Sequence, residues 1–170
     1  YQLEAESRML RGVQGYIVIP CGGGKTFVGA RAMVRSGQPA LVLCHTEDLL
    51  DQWQGAIFSA AGQYPRMIGG DRVANFSPIR RNEIVAALVQ SVDAAGPKAY
   101  AMLASAGAVL LDECHRAPAS SYTELLAHCP ARYRWGLTAT PDRPDGLGPL
   151  LAFHVGPELY RRSAVELAAD

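Results

Sequence analysis

The sequence is poor in several things, and each shortage removes a class of protein. It has no net charge, because sixteen Lys and Arg are matched by sixteen Asp and Glu. That excludes a protein held on nucleic acid or membrane by bulk positive charge, while leaving a local basic groove open. Only Lys25 and Lys98 are lysines. No apolar stretch reaches the length of a membrane span, and the N-terminus has no signal-peptide pattern, so no membrane partner is expected. The four cysteines, Cys21, Cys44, Cys114 and Cys129, form no C-x-x-C pair and no zinc-finger spacing with His. They read as buried free thiols suited to a reducing, cytoplasmic setting. There is no internal repeat and no low-complexity segment. The chain opens on Tyr1 rather than Met, which suggests a segment of something longer.

What is present is a globular balance: 170 residues, 49% hydrophobic and 19% charged. That is enough for roughly one domain with a real core. Short apolar runs alternate with helical stretches. Strands are expected at Tyr16–Ile19, Ala40–Cys44, Pro65–Ile68, Ala108–Leu111 and, last, Tyr133–Leu137. Helices are expected from Lys25 to about Arg35, from a Thr46 cap through Leu49, Leu50, Trp53 and Ile57, and from Ser120 to Cys129. Glu83 to Gln90 fits strand or helix equally. Continuous apolar strands alternating with helices imply an α/β fold whose parallel sheet is covered on both faces. The stretch from Pro141 to Pro157 reads as loop.

Two motifs carry chemistry. Pro20-Cys21-Gly22-Gly23-Gly24-Lys25-Thr26 follows a buried strand and opens a helix. Such a loop turns backbone N–H groups toward a polyphosphate at a helix N-terminus, where Lys25 can reach the β- and γ-phosphates and the Thr26 hydroxyl can hold Mg²⁺. The strict phosphate-loop pattern would place glycine where Ile19 stands, and the dinucleotide pattern fails at Phe27. The second motif, Asp112-Glu113-Cys114-His115, sits at the end of the strand Ala108–Leu111, the edge at which open α/β sheets bind ligands. Asp112 suits Mg²⁺ and Glu113 suits orienting or deprotonating a water. Together they imply a nucleoside-triphosphate hydrolase.

With Leu137-Thr138-Ala139-Thr140-Pro141, these motifs resemble the ordered set of superfamily 2 helicases and translocases over nearly the whole chain. Thr-Ala-Thr-Pro followed by Asp142-Arg143-Pro144-Asp145-Gly146 is similar to the branch of excision-repair helicases and type III restriction translocases. The resemblance implies a RecA-like P-loop NTPase domain, a three-layer αβα sandwich with a mostly parallel sheet, spanning residues 1–170. It implies ATP and Mg²⁺ as cofactors, held by Gln2 (an adenine-reading motif at Tyr1-Gln2), Cys21, Gly22, Gly23, Gly24, Lys25, Thr26 and Asp112. It also implies coupling through His115, Thr138 and Thr140, with the strand of Thr138 between the two ATP-site strands.

Nucleic-acid contacts, with DNA favoured over RNA, are implied at Thr46, Gly69, Gly70, Gln90 and Ser91. They would be made mainly to the backbone. Two positions depart from the family pattern: Glu47 replaces a usual basic residue, and Leu88 a usual Thr. Motifs of the second lobe, the arginine finger among them, do not occur here, so that lobe is expected in a longer parent.

The alternatives are a non-hydrolysing RecA-like module for protein or nucleic-acid docking and, less well matched, a small phosphate-loop kinase. Trp53 reads as core or helix-face packing rather than a base-stacking platform. Arg72, Arg80 and Arg81 read as a solvated loop. His45, His128 and His154 have no assigned role.

Overall fold

The computed structural model describes residues 1–114, 119–139 and 155–168. The chain runs α1 (Gln2–Gly12), β1 (Gln14–Val18), α2 (Lys25–Ser36), β2 (Ala40–Cys44), α3 (Glu47–Ala61), β3 (Arg66–Ile68), β4 (Ile84–Leu88) and α4 (Val89–Ala95). A 3-10 turn at Gly96–Ala99 then leads into α5 (Tyr100–Ser105), β5 (Ala108–Leu111), α6 (Ala119–Ala127) and β6 (Tyr133–Thr138). Beyond these lie β7 (Glu158–Arg161) and α7 (Ala164–Ala168).

The strands form one sheet in the order β3-β4-β2-β5-β6-β1-β7. Every pairing among the described residues is parallel. A parallel pair needs a crossover connection, which helices supply after β1, β2, β4 and β5, while the irregular stretch 69–83 joins β3 to β4.

Successive residues of the central strands feed opposite cores, as the two-residue period of a strand requires. Leu41, Leu43, Val85, Ala87, Val109 and Leu111 pack on one face with Val92, Met102, Leu103 and Leu125 from α4, α5 and α6. Ala40, Val42, Cys44, Ala86, Ala108 and Leu110 face the other way. They pack with Met9 of α1, Val28 and Met33 of α2, and Leu50, Trp53 and Ile57 of α3. This is the expected three-layer sandwich.

The strands at Ala40–Cys44 and Ala108–Leu111 lie where the sequence places them, every residue buried. The ambiguous stretch divides: it is strand through Leu88 and helix from Val89. The strand at Tyr133 is not the last one, since β7 adds an edge beside β1. The first helix carried no clear apolar stripe, because its buried face consists of Ala5, Met9 and a carboxylate, Glu6. Glu6 is 1% exposed and bonds Arg31 and Arg35 of α2, each at 2.7 Å. Burial by itself would raise its pKa. The two guanidinium partners outweigh that and hold the carboxyl below its ordinary range. Among the described residues, no helix is long and apolar enough to cross a membrane.

Candidate active site

The described site residues gather at one edge of the sheet, at or beyond the C-terminal ends of the strands, with Gln2 brought there by α1. The loop after β1 leads into α2, whose N-cap is Gly24 at φ 74°. Gly22 sits at φ 79°. Side-chain-bearing residues strain at such angles, which is why the loop needs glycine there.

Gly23 plays a different part. Its N–H bonds the Pro20 carbonyl at 3.1 Å, and its own carbonyl accepts the Tyr1 hydroxyl at 2.8 Å. A Cβ there would lie 2.5 Å from Ile19 and 3.2 Å from Leu167. Gly23 therefore anchors the loop, while its neighbours line the cleft. Gln2, at the start of α1, places its side-chain amide against Gly24, 2.5 Å from where a Cβ would stand. α1 thus brings the Tyr1-Gln2 pair to the loop.

A cleft of about 390 Å³ opens beside the loop. Cys21, Gly22, Gly24, Lys25 and Thr26 form one wall. Asp112 and Glu113 form another, and Leu49 and Gln52 of α3 a third. The two motifs, distant in sequence, meet because β1 and β5 are separated by β6 alone. Thr138 ends β6 between them, fully buried, with its carbonyl accepting the Ile19 N–H at 3.1 Å. His115 and Thr140 lie outside the described residues.

Asp112 is 2% exposed. Its backbone N–H extends the sheet by bonding the Leu43 carbonyl at 2.9 Å. One carboxylate oxygen accepts the Glu113 N–H at 3.0 Å and the other accepts the Trp53 indole N–H at 2.7 Å. Burial pushes the Asp112 pKa up, as does the Glu113 charge, against the opposing pull of Trp53, the Glu113 N–H and Lys25. Neighbouring Cys44 is pushed up to about 12 by burial and by the Asp112 charge. Glu113 sits at φ 48°, a left-handed conformation uncommon for a residue with a side chain. Its carboxylate lies 3.8 Å from the Lys25 ammonium, both largely buried.

The residues implied for nucleic acid gather farther along the same edge, after β2, β3 and β4. Thr46 caps α3, its hydroxyl accepting the Leu49 N–H at 3.3 Å. Gly69, at φ 132°, lies under Leu88, whose Cγ would be 2.5 Å from a Cβ. At Gly70 a Cβ would stand 2.6 Å from the Glu47 carboxylate. Gln90 donates to the His45 carbonyl at 3.1 Å. Ser91 follows in the first turn of α4.

Arg72 lies partly exposed on a surface loop, as the sequence suggested, and is tied down there by partners the sequence did not indicate. It bonds Asp51 of α3 at 2.5 Å and the Gly69 carbonyl at 3.3 Å. The sequence also left Gln52 and Trp53 unassigned at the site. The i, i+3 spacing of Leu49 and Gln52 on α3 was the available signal.

Comparison with known proteins places the chain in a family. A family model described as "Type III restriction enzyme, res subunit" matches residues 1–143. The "DNA 3'-5' translocase XPB2" of Sulfurisphaera tokodaii is 33% identical over 168 residues, covering 99% of this chain and 36% of that protein. The "DNA 3'-5' helicase XPB" of Kineococcus radiotolerans is 31% identical over 167 residues, covering 94% of this chain and 29% of that one. The chain thus spans about a third of the length of these relatives.

Among solved structures, a hypothetical ATP-dependent RNA helicase from Sulfolobus tokodaii superposes with TM-score 0.78 at 22% identity, over 98% of this chain and 53% of that one. The UvsW helicase of bacteriophage T4 superposes at 0.73 and 14% identity, over 92% and 58%. These likenesses fix the fold as RecA-like. The chain belongs to the family of the type III restriction enzyme res subunit, within the superfamily 2 helicases.

Proposed function

We propose that these 170 residues are a single RecA-like domain, the ATP-binding first lobe of an ATP-dependent DNA translocase or helicase that works with a second RecA-like lobe in a longer parent. One observation carries this reading: Lys25 and Thr26 share a cleft with Asp112 and Glu113. The names of the relatives, a DNA translocase and a DNA helicase, favour DNA as the track.

In this reading Lys25 binds the β- and γ-phosphates. Doing so draws its ammonium away from Glu113 and frees that carboxylate to orient or deprotonate a water. Gln2 faces the adenine. The Thr26 hydroxyl and Asp112 carboxylate are hard oxygen donors on one cleft, which fits Mg²⁺. Among the described residues no three His, Cys, Asp or Glu cluster as a self-sufficient metal cage. Magnesium commonly takes one or two protein donors and completes its shell with phosphate and water. When bound, it would neutralise phosphate charge.

Thr138 stands between the two ATP-site strands and suits the coupling role, shared with His115 and Thr140. Thr46, Gly69, Gly70, Gln90 and Ser91 would meet the nucleic-acid backbone. Hydrolysis by the lobe alone is expected to be slow, since an arginine finger contributes about 10³–10⁵ in rate in related enzymes.

Calorimetric titration with ATP tests the site. Lys25→Ala should weaken binding about 10- to 100-fold, the worth of a charged hydrogen-bonding contact. Equal affinity in the two proteins would instead favour a docking module without nucleotide turnover. Robust unwinding by these residues alone would overturn the half-motor reading.

A further inference from the structure

The two tryptophans of the chain are both fully buried, and they solve the same problem differently. A buried indole must place its N–H on an acceptor. Trp135 gives its N–H to a backbone carbonyl, that of Met9, at 3.0 Å. Trp53 gives its N–H to a carboxylate, Asp112, at 2.7 Å. A purely space-filling tryptophan has no need of a charged acceptor, and a buried carboxylate is costly unless such donors hold it.

We propose that Trp53 is a positioning residue for the Mg²⁺ site: its indole N–H fixes the rotation of the Asp112 carboxylate so that the remaining oxygen lone pairs face the cleft. The inference rests on the ATP-site reading above and concerns a fully buried residue that does not line the cleft.

Three features support it. The carboxylate is held from both sides, by Trp53 on one oxygen and by the Glu113 N–H on the other. Two donors in different directions fix its plane, whereas either alone would leave it a hinge. The indole is itself confined. A Cβ on Gly29 of α2 would lie 2.7 Å from the Trp53 ring, 3.0 Å from Leu110 and 3.1 Å from Leu137. A glycine is thus required where α2 passes the ring. Finally, Trp53 follows Gln52, which lines the same cleft, so α3 sets one wall of the cleft and the carboxylate's orientation together. Outer partners of metal ligands generally act in this way, and their loss costs about 10- to 100-fold in metal affinity.

The experiment measures ATP affinity by calorimetry across a series of free Mg²⁺ concentrations, and again in EDTA. Trp53→Phe keeps an aromatic ring and removes the N–H. The expected result is a rise of about tenfold or more in the Mg²⁺ concentration giving half-maximal enhancement. ATP affinity in EDTA, which reads the phosphate loop, should be unchanged. An unaltered Mg²⁺ dependence would overturn the proposal, because mere packing predicts it. Failure of the wild-type chain to bind ATP at all would overturn the ATP-site reading instead.

Should Trp53→Phe not fold, the wild-type chain gives its own answer. With ¹⁵N labelling, its two indole N–H signals can be followed as Mg²⁺ is added to the ATP-bound protein. The Trp53 signal should move while that of Trp135 stays as an internal reference. A stationary Trp53 signal overturns the proposal.

Discussion

The proposed phosphate end of the sheet edge and the rim after β2, β3 and β4 are neighbours built on opposite principles. At the phosphate end the chemistry is drawn inward: Lys25 is 9% exposed, Asp112 2% and Thr138 0%. Each is held by buried partners, and Trp53 reaches through the core to hold one of them. At the rim, Thr46, Gly70 and Gln90 are exposed. Order there comes from a helix cap, from two glycine conformations and from the Arg72–Asp51 pair on the surface. Buried charge gives precise placement but ties a site to protonation and to the packing behind it. A rim of backbone and caps is less exact in side-chain position, and suits a partner recognised by its repeating backbone.

The hardest blow to the rim should come from Gly69→Ala. At φ 132° a side chain is strained, and its Cβ would stand 2.5 Å from Leu88 Cγ and 3.0 Å from Leu88 Cβ, too near the backbone to swing away. The expected cost is about 2–4 kcal/mol in urea unfolding. DNA binding by the lobe should fall with it, while ATP affinity measured well below the unfolding transition stays within about twofold, roughly 0.4 kcal/mol. An equal loss of ATP binding would erase the distinction between the two regions.

The phosphate end should be more sensitive to acid, and Glu6 shows why. Its carboxylate ties α1, which carries Tyr1 and Gln2 to the phosphate loop, to Arg31 and Arg35 of α2. Its pKa is lowered in the folded protein. The stability it contributes is therefore complete above the ordinary carboxyl value near 4.5 and is lost as pH falls through the lower folded value. The buried Asp112, shifted upward, acts with the opposite sign. The informative quantity is thus the difference between the wild type and Glu6→Gln. At pH 7 the variant should be less stable by about 1–2 kcal/mol, a modest figure because both arginines are partly exposed to water. The gap should close as pH drops below 4.5. A gap independent of pH would show that shape, not charge, holds α1 to α2.

The same contrast governs what could be read from the sequence. Residues whose chemistry needs burial announce themselves. Ala40–Cys44 and Ala108–Leu111 are continuous apolar runs, and both lie as strands with those bounds. A glycine run ending in Lys25-Thr26 after one strand, and Asp112-Glu113 after another, named the cleft before its walls were known.

What stayed hidden depends on pairing across the fold. Trp53 looked like any helix-face aromatic, since nothing local says that its N–H meets a carboxylate. β7 is an edge strand, Glu158–Arg161, with no fully buried residue, so it lacks the apolar run by which the central strands were found. The division of 84–95 into β4 and α4 came at Leu88–Val89, inside an unbroken apolar stretch where side-chain type carries no boundary. At the rim, Arg72 was legible only as charge, because its partner Asp51 belongs to a different element.

The mildest test reaches the rim through its cap. Thr46→Ala removes the hydroxyl that accepts the Leu49 N–H. Cap loss of this kind costs about 1 kcal/mol, and the acidic first turn at Glu47 and Asp48 will still favour the helix dipole, which keeps the effect from growing. Thr46→Ser should restore most of that stability, since it retains the acceptor. The cap also stands at the head of the helix that carries Gln52 and Trp53 to the phosphate cleft, so the variant measures how rigidly α3 joins the two regions. If α3 frays only at its first turn, DNA affinity should fall while Mg²⁺-dependent ATP binding is untouched. A matching shift in Mg²⁺ dependence would mean that α3 moves as one body, and that the buried end of the site is set in part by its exposed one.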